Sequence, residues 1–147
     1  MHPRLFEETV ASVFASVGFT TIVTAYSGDG GIDVVLEKNG EEIGVQVKRY
    51  KDRISVEQIR SLCGALVLRG LTQGIFVTTS SFQSGAEGTA AKFAKKGYKI
   101  DLMDSQRFYD VLRLAQSNTI RDMSEEAASR YLLQLESISD VVVSFCL

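Results

Sequence analysis

Tryptophan is absent from this 147-residue chain, proline and histidine occur once each (Pro3 and His2), and cysteine occurs twice, as Cys63 and Cys146. No apolar run approaches the roughly 20 residues that a membrane-spanning helix needs, and no basic leader followed by an apolar stretch marks secretion. A cytoplasmic protein with no membrane partner is expected. Two cysteines and one histidine offer no metal-binding spacing, and both thiols read as reduced, Cys63 within a helical apolar pattern. Surplus charge is missing as well: 16 Lys and Arg face 18 Asp and Glu, a net charge of -2. That excludes a protein that coats nucleic acid by bulk charge, so any contact with phosphate must be local.

What is present is ordinary globular composition, 45% hydrophobic and 23% charged, in one domain's length. "HPRLFEETVASVFASVGF" places Phe6, Val10, Val13, Phe14 and Val17 at helical spacing between Pro3 and Gly18. "FTTIVTAY" reads as a strand and ends in the glycine-rich turn Ser27 to Gly31. "SVEQIRSLCGALVLRG" begins with a capping box, Ser55 and Gln58, and puts Ile59, Leu62, Cys63 and Leu66 on one face. "QGIFVTTSS" has the composition of a strand covered on both sides. A helix with Ala86, Ala90, Phe93 and Ala94 inward follows, then the strand "YKIDLMD" and a helix over 105–116 with Phe108, Val111, Leu112 and Leu114 partly inward. The tail reads as a helix from Ser124 followed by the apolar segment "DVVVSFCL". Residues 1–116 are expected to form one catalytic-type unit, and residues 117–147 a helical extension that is a candidate interface.

The most specified stretch is the pair of alternating segments around Asn39-Gly40, the dipeptide favoured in two-residue hairpin turns because both central residues take positive φ. Pairing Lys38 with Glu41 sets Leu36 opposite Ile43, Val34 opposite Val45 and Asp33 opposite Gln46. Ile32, Val34 and Leu36 then share the apolar face with Ile43, Val45 and Val47, and Asp33, Gln46 and Lys48 converge on the other, within side-chain reach.

A carboxylate, an amide oxygen and the backbone carbonyl of Val47 can hold a divalent cation such as Mg²⁺. Lys48 beside them can position or deprotonate an attacking water and stabilise charge on a phosphate. The chemistry implied is phosphodiester hydrolysis; the structural alternative is a solvated strand face. Directly after Lys48, "RYKDR" supplies Arg49, Tyr50, Lys51 and Arg53, either a solvated loop or a local phosphate-binding patch. Gly28, Asp29, Gly30 and Gly31 read either as a tight turn or as a loop at the metal or DNA. Capping accounts for Gln58, although it could face the cleft, and strand propensity accounts for Thr78 and Thr79.

"GDGGIDVV" and "VQVKRY" in this order, behind the "PRLFEE" helix, resemble the Mrr-like restriction endonuclease domain of the PD-(D/E)XK nuclease superfamily over about residues 3–110. The resemblance implies an α/β fold with an αβββαβ core, a mixed sheet flanked by helices and an extra C-terminal helix. It also implies Mg²⁺-dependent DNA cleavage, with Mn²⁺ as a substitute, in DNA restriction, defence or repair. Asp33 matches the motif aspartate and Lys48 the motif lysine. Gln46 stands where most of the superfamily has a carboxylate, as is usual in this branch. Glu7 matches the helix glutamate and would restore the charge that Gln46 lacks; Glu8 competes, but adjacent helix positions differ by about 100° and only one can face the hairpin. Cutting both strands with one site per chain implies a homodimer, and selection of DNA implies a separate recognition domain or targeting protein. The alternative is a catalytically silent DNA-binding or assembly module of the same fold.

Overall fold

The computed structural model describes residues 3–24, 31–49 and 51–121. The chain runs α1 (Pro3–Ser16), β1 (Thr20–Val23), β2 (Val34–Lys38), β3 (Glu41–Lys48), α2 (Val56–Arg69), β4 (Gln73–Thr78), α3 (Ala86–Lys95), β5 (Lys99–Met103) and α4 (Ser105–Arg121). The five strands form one sheet in sequence order. β1, β2 and β3 pair antiparallel, whereas β3–β4 and β4–β5 are parallel, each parallel step being made across a helix. This is the expected αβββαβ order, continued by α3, β5 and α4.

Helix α1 forms because its apolar residues recur on one stripe, and that stripe decides where it packs. Phe6, Val10, Val13 and Phe14 are buried against Val34, Leu36, Val45, Ile75 and Val77. Phe108 and Leu112 of α4 complete this layer, with the Phe6 and Phe108 rings edge-on at 6.2 Å. The opposite layer sets Ile59, Leu62 and Leu66 of α2 and Ala86 and Ala90 of α3 against Phe76 and Ile100. Strand β4 lies between the layers, which explains its unbroken burial from Gly74 to Thr78.

Helix α2 starts at the capping box: the Ser55 hydroxyl accepts from the Gln58 amide, and the Gln58 side chain accepts from the Ser55 amide. It stops at Gly70, whose φ of 71° is the left-handed cap that glycine adopts without strain.

Two inward assignments need correction. Ala94 is exposed, because α3 ends at Lys95 and its last turn opens onto a groove beside β5. Leu114 is 55% exposed and Ala115 is buried in its place, since Phe108, Leu112 and Ala115 follow the three-to-four spacing from which Leu114 departs. Helix α4 also continues beyond Gln116 to Arg121. The tail helix from Ser124, the segment 140–147, Cys146 and His2 lie outside the described residues.

Candidate active site

The turn between β2 and β3 has Asn39 at φ 54° and Gly40 at φ 81°, both positive as a two-residue hairpin turn requires. Pairing runs from Lys38 with Glu41 to Val34 with Val45, in the register read from the sequence. At Asp33 the ladder changes. The Asp33 amide donates to the Val45 carbonyl at 2.8 Å, so two consecutive residues, Asp33 and Val34, meet one residue of β3. This is the geometry of a β-bulge, which bends a strand and re-aims a side chain. Its effect is visible in the core: Ile32 is buried in the layer of α2, whereas Val34, two residues on, is buried in the layer of α1. The expected common face for Ile32, Val34 and Leu36 is therefore corrected, and so is Asp33 as the direct opposite of Gln46.

The bulge turns the Asp33 carboxylate toward β3, where Oδ2 accepts a hydrogen bond of 2.7 Å from the Val47 amide. A side-chain oxygen thus takes the place of a ladder carbonyl. The carbonyl of Asp33 is tied on its other side, accepting from the Thr24 amide at 2.9 Å and the Thr24 hydroxyl at 3.1 Å. Position 33 is held through its side chain and both backbone polar groups.

Gln46 and Lys48 emerge on the α2 face of β3. Gly44 marks that face: a Cβ there would lie 2.8 Å from Leu66 and 3.0 Å from Ile32. Helix α2 therefore sits directly over the strand at Gly44, and Gln46, two residues on, is half-buried. Its Oε1 is buried and has no hydrogen-bond partner among the described residues, while its Nε2 lies 4.0 Å from where a Cβ on Gly31 would stand. An orphaned buried acceptor costs about 1–3 kcal/mol and calls for a partner. A hard cation is such a partner. The set formed by the Asp33 carboxylate, Gln46 Oε1 and the Val47 carbonyl is all oxygen, as Mg²⁺ and Mn²⁺ require. Among the described residues no three His, Cys, Asp or Glu side chains gather at one point, so a metal here would depend on the amide and backbone oxygens.

Glu7 is buried, 8% exposed, on the inner side of α1, and Glu8 is exposed. Of the two candidate glutamates the helix turns Glu7 inward. It belongs to the layer of α1, while Gln46 and Lys48 belong to the α2 face, and the bulge at Asp33 is where the chain of β2 passes from one layer to the other. Lys48 is half-buried at the end of β3, paired with Thr78 of β4. Beyond it Arg49, Lys51 and Arg53 are exposed. Tyr50 and the turn residues Gly28, Asp29 and Gly30 lie outside the described residues.

Gln58 is occupied by capping, its Oε1 2.9 Å from the Ser55 amide. Thr78, attributed above to strand propensity, is completely buried, and its Oγ1 accepts from the Ser80 amide at 3.1 Å. The signal for it was the run Thr78-Thr79-Ser80-Ser81, two residues more polar than a buried strand needs. A separate groove of about 340 Å³, lined by Glu87, Ala90, Lys99, Asp101 and Arg107 among others, lies along β5, two strands from β3.

Comparison with known proteins agrees with this architecture. The chain is 35% identical over 89 residues to the type IV methyl-directed restriction enzyme EcoKMrr of Escherichia coli K12; the match covers 58% of this chain but only 28% of that enzyme. Among solved structures, the DNA modification-dependent restriction endonuclease AspBHI superposes with a TM-score of 0.62 at 18% identity, over 95% of this chain and 36% of its own. MspJI restriction endonuclease in complex with a 27-mer oligonucleotide superposes with a TM-score of 0.57 at 22% identity, over 93% of this chain and 32% of its own. At those identities the two structures speak for the fold alone. The restriction endonuclease model of the Mrr catalytic family matches residues 1–112, and the chain belongs to that family.

Proposed function

We propose that this chain is a divalent-metal-dependent DNA endonuclease domain that hydrolyses phosphodiester bonds in DNA restriction, defence or repair. The observation that carries the reading is a pair of features on adjacent residues of β3: a carboxylate fixed by the Val47 amide at 2.7 Å, and on Gln46 a buried amide oxygen with no partner among the described residues. Family membership supports the same reaction class.

Asp33, Gln46 and the Val47 carbonyl would hold Mg²⁺ or Mn²⁺, with Glu7 as a further carboxylate. The ion supplies Lewis-acid stabilisation of charge on the phosphate oxygens. Asp33 is oriented for this by its bond to Val47. The Lys48 ammonium orients the attacking water and offsets the negative charge that builds up as the phosphorus–oxygen bond forms. Arg49, Tyr50, Lys51 and Arg53 bind neighbouring phosphates and hold the duplex in place without reading sequence. Choice of substrate then falls to a separate recognition domain or targeting protein.

Incubation with supercoiled plasmid and Mg²⁺ or Mn²⁺ tests this. The parent protein is expected to nick or linearise the plasmid, Lys48→Ala and Asp33→Ala to lose about 10²–10³-fold in rate, the range for removing one electrostatic stabiliser, and chelator to abolish the reaction. Intact plasmid under all metals, from a protein that is folded and binds DNA, would favour the silent module.

A further inference from the structure

The nuclease reading leaves the hydroxyl-rich end of β4 without a role. Strand β3 and β4 are parallel up to Lys48 and Thr78, and a bridge between Ile54 and Phe82 resumes the same parallel pairing further on. Between those two points one chain advances six residues and the other four. The surplus falls in the basic segment, and the ladder holds it at both ends. At its start the Thr79 amide donates to the Lys48 carbonyl at 3.3 Å. At its finish Ile54, completely buried, donates to the Ser81 carbonyl at 2.8 Å and accepts from the Gln83 amide at 2.9 Å. In the middle the Ser80 hydroxyl donates to the Lys51 carbonyl at 3.4 Å, and Ser80 is itself set by the hydrogen bond its amide donates to Thr78 Oγ1.

We propose that Thr78 and Ser80 are positioning residues for the cleavage reaction: they brace the loop that carries Arg49, Lys51 and Arg53, so that these cations meet phosphate at a fixed offset from Lys48. Neither side chain needs to touch DNA. A loop of long cationic side chains loses much freedom on binding, and a braced backbone has lost part of it in advance. The proposal rests on the nuclease reading, and its test separates the two.

The variants are Ser80→Ala and Thr78→Val, with Ser80→Thr and Thr78→Ser as conservative controls. Trypsin acting on the native protein, without DNA, should cut after Lys51 or Arg53 about tenfold faster in the first pair and near the parent rate in the second, since proteolysis follows local opening. In plasmid cleavage the first pair should raise KM about fivefold or more with kcat little changed, and the controls should restore it. A simple loss of folded protein would lower the apparent kcat and leave KM alone, so that pattern overturns the proposal, as does a tryptic rate equal to the parent's. A parent protein that cuts no plasmid would overturn the nuclease reading, and the tryptic comparison would still sustain or overturn the brace.

Discussion

At the scale of single residues, Gln46 is the most unusual side chain. Its amide oxygen is buried without a partner among the described residues, at a place where a carboxylate would carry full charge. Gln46→Glu is expected to tighten divalent-metal binding about tenfold while weakening the apo fold by about 1–3 kcal/mol, because a buried unpaired acid costs more than an amide. Metal titration by calorimetry beside apo and metal-loaded melting curves checks both halves. Cys63 behaves oppositely, as an inert core group. Burial pushes its thiol above the ordinary value. A thiol reagent at neutral pH should leave it unlabelled on a Cys146→Ser background until the protein unfolds, and labelling in the native state would contradict its burial. The sign of the linkage follows: Cys63 favours folding below the ordinary thiol pKa, and that contribution fades as pH rises through the elevated folded value.

At the scale of elements, the packing of α2 on β3 and β4 depends on the absence of side chains. A Cβ on Gly74 would stand 2.8 Å from Leu66 and 3.2 Å from the Gly44 carbonyl, and one on Gly44 would meet Leu66 at 2.8 Å. Gly44→Ala should cost about 1–3 kcal/mol by overpacking, with part of the loss recovered in a Gly44→Ala, Leu66→Val double variant. Chemical denaturation of the four members of that cycle measures it. Much of this level was legible beforehand. Asn39-Gly40 set the register, Ser55 and Gln58 set the start of α2, and Lys48 was placed on the same face as Gln46. The bulge was not legible, because alternation of Ile32, Asp33 and Val34 looks the same with or without it; only the bonds to Val45 and Val47 reveal that the strand changes layers. The cover over Gly44 was equally hidden, since period-two patterning marks that residue as a blank and says nothing of a leucine from 22 residues later seated on it. Leu114 was misassigned for a different reason, a leucine one position off the stripe attracting a burial that its angle forbids.

At the scale of the whole molecule, hydrolysis of both strands of a duplex asks for two active sites, so the proposed homodimer is a kinetic prediction as well as a structural one. Linearisation of plasmid should rise with the square of protein concentration while nicking rises in proportion, and truncation after Arg121 should leave the fold and nicking in place while abolishing linearisation. Sedimentation in the presence of DNA gives the corresponding mass. A cation held only by the folded chain stabilises it by mass action, so chelation is expected to lower the melting temperature as well as stop cleavage. The chain spans 28% of the length of EcoKMrr.

The bond from the Val47 amide to Asp33 Oδ2 gives the molecule a built-in reporter. A proton held by a carboxylate resonates where the charge on that carboxylate puts it, so the Val47 N–H signal in a nitrogen-15 correlation spectrum should move when a cation draws on Asp33, should return on chelation, and should be insensitive to DNA alone. One resolvable peak would then read the occupancy of the reaction centre continuously, with no substrate and no turnover.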